Sequence, residues 1–139
     1  MRSNPHLYFY YIMELVDFEL SRKLKEKGFR EECLCYYIGK DLFYNIESPI
    51  ANNQLWFSHN NFDNIWHRDN YDAPTISQAL KWLRVDKEIM VFPVYSRNTS
   101  KWYCSIVNAD SLATYNFSLS DSYEQAALAG IEYVLDNLI

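Results

Sequence analysis

The stretch IMVFPVYSRNTSKWYCSIV, residues 89–107, reads as two strands and the turn that joins them. IMVFPVY and KWYCSIV are rich in β-branched and aromatic types, and the polar run from Ser96 to Ser100 between them has the composition of a hairpin loop. Pro93 has no N–H to give a neighbouring strand, which places the first run at a sheet edge. LATYNFS, residues 112–118, follows the polar turn Asn108 to Ser111 and extends the meander by a third strand.

Helical signals flank this block on both sides. Thr75, just after Pro74, stands three residues before Gln78, the spacing of a reciprocal capping box. Ile76, Leu80 and Leu83 then form a stripe widened by Ala79, with Lys81, Arg84 and Lys87 outside it, so the spacing predicts a helix over 76–86. Trp82 falls at the edge of that stripe. Ser122 and Gln125 repeat the capping pattern, and Ala127, Ile131, Val134 and Leu138 make the stripe of a last helix running almost to the end. Gly130 interrupts it at a cost of about 1 kcal/mol relative to Ala, which points to close contact with a neighbouring backbone.

Further upstream, Asp17 is a good N-cap type and Gly28 a good C-terminal stop, with Leu20 and Leu24 one turn apart between them, so residues 18 to 27 should be helical. ECLCYYIGKDLFYNI, residues 32–46, then has the pattern of a hairpin turning at Gly39, Lys40 and Asp41. Leu34, Tyr36 and Ile38 would share one face of its first strand, and Leu42, Tyr44 and Ile46 one face of the second; either set can cover a core. The order is helix, two strands, long segment, helix, two or three strands, helix. It fits an α+β fold: an antiparallel sheet of four to five strands with about three helices packed mainly on one face.

A length of 139 residues suits one domain spanning the chain. Hydrophobic types make up 49% and charged types 22%, which is a chain able to fold alone. The aromatic fraction of 17%, with twelve Tyr, calls for half-buried sheet faces where a ring packs and its hydroxyl finds a partner. A net charge of −5 disfavours nucleic acid as a partner. Arg22, Lys23, Lys25 and Lys27, interrupted by Glu26, read as the solvated face of a helix. Cys33, Cys35 and Cys104 lack the spacing of a disulfide framework or zinc knuckle, so they are read as small hydrophobes in a reducing, cytoplasmic setting. The apolar run Leu7 to Met13 is too short to span a membrane, and no small-residue cleavage site follows it.

Chemistry, if there is any, would belong to Glu47–Pro74, a long loop with six Asn, two His and three Asp. His59, Asp63 and His67 recur at four-residue intervals, which on a helix would align three potential metal ligands. Asn60, Asn61 and Asn64 oppose a helix there and no Cys or Glu completes a recognised spacing, so no metal is assigned. The competing reading has Trp56, Phe57, Phe62, Ile65 and Trp66 tethering an irregular loop, with a short strand at Gln54 to Ser58. The three glycines are isolated, which removes the usual phosphate-cradling loop, and no serine sits in a GxSxG elbow; no cofactor is called for. Trp102 and Tyr103, beside Lys101 and Arg97, could stack bases on a sheet, although a Trp packed under a helix is the preferred reading in an acidic chain.

LKEKGFREECLCYY (24–37), APTISQALKWLRVDKEI (73–89) and the closing EQAALAGIEYVLDNLI (124–139) together resemble a family of small proteins from Bacteroides-type gut bacteria and their phages. The likeness spans about residues 13 to 139, and its most specific part is the Ala73-Pro74 step leading into Gln78-Ala79-Leu80-Lys81-Trp82-Leu83-Arg84. No activity, cofactor or catalytic residue carries over, so the resemblance implies origin and element order only. Residues 1–12 and the Asn-rich loop depart from its pattern, and residues 1–12 read as an upstream extension.

Two functions of different class follow. The favoured one is a noncatalytic protein-binding or adaptor module, with a homodimer as one form, because Tyr and Trp abound without a catalytic constellation. The alternative is a small hydrolase or metal-dependent enzyme built on His59, Asp63 and His67. The binding candidates are His59, Asp63, His67, Trp66, Trp102 and Tyr103.

Overall fold

The computed structural model describes residues 14–44, 70–109, 113–116 and 119–139. The N-terminal stretch 1–12 and the strand read at Gln54 to Ser58 lie outside the described residues. The chain divides into two compact units, 1–75 and 76–139.

Among the described residues, the first helix of the first unit is α1, Phe18–Glu26. Its start is fixed as its sequence requires: the Asp17 side chain accepts from the Leu20 N–H at 2.8 Å. Its end is Gly28 at φ +99°, a conformation that costs an L-residue with a Cβ dearly. On the solvent side Arg22 links Glu19 and Glu26 at 3.1 and 2.6 Å. Three short antiparallel strands follow, β1 (Cys35–Ile38), β2 (Asp41–Tyr44) and β3 (Asn70–Ala73), in the order β2-β1-β3. The strand β3 corrects the expectation of an uninterrupted loop to Pro74, since its four residues pair with β1, Tyr37 opposite Tyr71 and Cys35 opposite Ala73. On β1 the structure corrects the expected face: Cys35 and Tyr37 point to the core with Leu42, Leu15 and Ala73, whereas of the Leu34, Tyr36 and Ile38 set Leu34 is exposed and the other two are half-buried. Phe18 of α1 meets the edges of Tyr37 and Tyr71 at 5.9 and 5.5 Å between ring centroids. The Tyr37 hydroxyl, buried with its ring, donates to the Val16 carbonyl at 2.8 Å.

The second unit contains α2 (Ile76–Asp86), β4 (Ile89–Ser96), β5 (Lys101–Asn108), β6 (Ala113–Asn116) and α3 (Tyr123–Asn137). Its sheet is antiparallel in the order β4-β5-β6, with Pro93 on the outer strand β4. Both helices contact β4 and each other. The stripe of α2 is shifted by one position from expectation: Trp82 is buried with Ile76, Ala79 and Leu83, while Leu80 is only half-buried. On α3 the buried set is Ala126, Ala127, Gly130, Ile131, Val134 and Leu135. Gly130 lets the helix settle on the sheet. An added Cβ there would overlap Cys104 Sγ and sit 2.7 Å from Val91 Cγ1, so the close neighbour is a pair of side chains rather than the backbone expected. Complete burial of Ile106 and Ile131 in this core contributes on the order of 2 kcal/mol each.

The α+β class is as expected, with three described helices. The single sheet of four to five strands is not: among the described residues the strands form two separate three-stranded antiparallel sheets. The β1–β2, β4–β5 and β5–β6 pairs are local, as cheap hairpin closure favours, whereas β3 reaches β1 from 38 residues away at Cys35 and Ala73; α2 separates the two sets in sequence.

Candidate functional site

His59, Asp63, Trp66 and His67 lie outside the described residues, as does His6, the remaining histidine. Among the described residues, no group of three or more His, Cys, Asp or Glu is placed to hold a metal ion. The cysteines are buried, and burial sets their chemistry. It pushes the Cys33 thiol far above its ordinary range, helped by the nearby Asp72 charge, and pushes Cys104 up to about 11. Both are therefore thiols at neutral pH, and the thiolate is the nucleophile.

A second polar group lies at the β3 side of the first unit. Asn70 and Asp72 are buried. Lys25 reaches over from α1, its Nζ donating to the Asn70 carbonyl at 3.2 Å and standing 5.1 Å from the Tyr71 ring centre. Burial and the neighbouring Arg30 lower the pKa of Lys25, and the Asp72 carboxylate works the other way. Arg30 itself donates to the carbonyls of Phe29 and Lys25. These side chains tie the end of α1 to an edge strand, which is a structural use of their charge.

Trp102 and Tyr103 are neighbours on β5 and so point to opposite faces of the sheet. They cannot form one stacking platform, which corrects the base-stacking possibility read from their adjacency. Trp102 lies on the helix side. Its ring stands edge-on to Tyr95, which it faces across the ladder, at 5.3 Å, and to Tyr123 in the first turn of α3 at 5.6 Å. Its backbone is clamped as well, since Trp102 N donates to Ser120 O at 2.8 Å and Ser120 N to Trp102 O at 2.6 Å. Lys101 Nζ meets Asp121 Oδ1 at 2.5 Å beside this clamp. A Trp fixed on three sides in this way anchors the entry to α3.

Tyr103 belongs to the other face. There it stands opposite Val94, and the strand alternation adds Met90 and Phe92 from β4 and Ser105 and Val107 from β5. Phe92 is 49% exposed, and Met90, Val94, Tyr103 and Val107 are half-buried. Since Gly130 of α3 sits against Val91 and Cys104, and α2 touches α3, the helices of this unit occupy the opposite side. The outer face thus presents five apolar or aromatic side chains and no charged one between Met90 and Val94 or between Tyr103 and Val107.

Sequence reasoning passed over Met90, Phe92, Val94 and Val107. The signal was present in IMVFPVY, which is apolar at odd and even positions alike, the pattern of a strand meant to be covered on both sides.

No family model matches this chain, and no curated protein or solved structure matches it. No helix among the described residues is long and apolar enough to cross a membrane.

Proposed function

We propose that this chain is a noncatalytic protein-binding or adaptor module whose contact surface is the outer face of β4 and β5. The observation that carries this reading is Phe92, a large ring half-open to solvent at the centre of an uncharged strip on a hydrogen-bonded sheet. Clustered apolar surface on a folded unit is characteristic of protein contact, and aromatic anchors supply a large share of interface energy. Met90 and Tyr103 add adaptable and amphipathic contact beside it. The bacterial or phage origin implied by the resemblance belongs to the same proposal.

Photo-crosslinking tests it. A benzophenone attached to Phe92→Cys should yield crosslinks to polypeptide well above those from Val85→Cys, an exposed apolar site at 61% on α2. Equal yields from the two positions would remove the proposal.

A further inference from the structure

We infer that the occupant of this outer face is a second copy of the same chain, packed sheet to sheet in a weak and reversible dimer. The inference rests on the protein-binding reading of that face and specifies its partner.

Charge is the first reason. The chain carries −5 in all, yet Met90, Phe92, Val94, Tyr103, Ser105 and Val107 carry none. Recognition of a foreign partner commonly uses complementary charge for register and on-rate, and this strip offers none. Laid on itself about a twofold axis, the strip brings apolar groups together, and Lys101, at its end on the same face, is already paired with Asp121. Open apolar sheet faces pack in this way in sandwiches, about 10 Å apart with strands about 30° from alignment.

The edge supplies the second reason. On β4 the backbone is the outer strand of its sheet, and Pro93 in its middle has no N–H to give a further strand. Pairing at this edge is thereby disfavoured, so what β4 offers a second copy is its apolar face.

Area sets the strength. With eight-residue β4 and β5 about 26 Å long and four-residue β6 about half that, at about 4.8 Å spacing, the face is on the order of 300 Å² per copy. Two copies bury roughly 600 Å², below the roughly 1,200 Å² at which stable interfaces begin. Association should therefore show itself between ~10 µM and ~1 mM rather than at nanomolar concentration.

The test uses the full chain in two measurements. In sedimentation velocity the weight-average coefficient of the natural chain should climb from monomer towards dimer over that range, and Phe92→Asp and Val94→Lys should each stay monomeric while keeping the natural circular dichroism spectrum. In the second, Phe92→Cys should react quickly with a maleimide at 1 µM and more slowly as unlabelled natural chain is added to 1 mM; the three native thiols are buried and give little background. Fast labelling with a monomer at every concentration overturns the second-copy inference and leaves the face available to another protein. No labelling at 1 µM means the chain covers the face itself, and both readings fall. A dimer that persists in folded Phe92→Asp and Val94→Lys places the contact elsewhere and overturns the inference too.

Discussion

An alanine methyl at Gly28 would meet no atom within 4 Å, yet the backbone there sits at φ +99°. Gly28→Ala should cost about 1–2 kcal/mol through conformation alone, and Gly28→Asn less, because Asn tolerates that region better. At Gly130 the backbone is ordinary helix and the obstacle is Cys104 and Val91, so Gly130→Ala should cost about 1–3 kcal/mol through overpacking. Urea midpoints separate the two causes. Cys104→Ala should recover part of the loss at Gly130 and none at Gly28, and equal recovery at both would refute the packing account. Cys104 makes a second statement. Its pKa is raised from 9.0 to about 11 in the fold by burial, so the folded state favours the thiol. That stability is fully present below about pH 9 and is lost as pH rises through about 11. The difference in unfolding free energy between the natural chain and Cys104→Ala should therefore shrink from pH 8 to pH 11, and a flat difference would remove the attribution.

At the level of elements, the cap of α3 is reciprocal: Gln125 N donates to Ser122 Oγ at 3.1 Å and Asp121 N to Gln125 Oε1 at 3.1 Å. Ser122→Ala should destabilise by about 1 kcal/mol, read as a lowered thermal midpoint. Lys101→Met removes the neighbouring ion pair, which is exposed, so the midpoint should hardly move while the Asp121 carboxyl, held low by the Lys101 hydrogen bond, returns towards its ordinary range in an NMR titration. These caps were legible because their partners are three or four residues apart. Asp17, Ser122 and Gly28 announce helix ends in the sequence, and the helix at 76–86 has the expected bounds. What divides the strands into two sheets is not local. The pairing of β1 with β3 joins Cys35 to Ala73 across 38 residues, and no period in the sequence encodes that contact. The candidate face was hidden for a related reason. Adjacency drew attention to Trp102 with Tyr103, whereas a strand separates neighbours and unites alternate residues, so the grouping that matters is Phe92 and Val94 with Tyr103 across the ladder.

For the whole molecule, the balance between an uncharged face and an acidic body fixes how association responds to its medium. Each copy carries −5 at pH 7, so two copies repel while their faces attract. Raising ionic strength from about 10 mM to about 0.1 M shortens the Debye length from about 30 Å to about 10 Å, which screens the repulsion and leaves apolar burial almost untouched. Dimerisation should therefore strengthen with salt. It should strengthen also as pH falls from 8 towards the isoelectric value of 5.1, where net charge vanishes. An interface held by ion pairs would move the opposite way in salt. Sedimentation velocity at fixed protein concentration across both series reads the sign directly, with Phe92→Asp as the control that removes the face and keeps the acidic body. A dimer fraction that drops as salt is added would show that charged groups outside the Phe92 strip carry the contact.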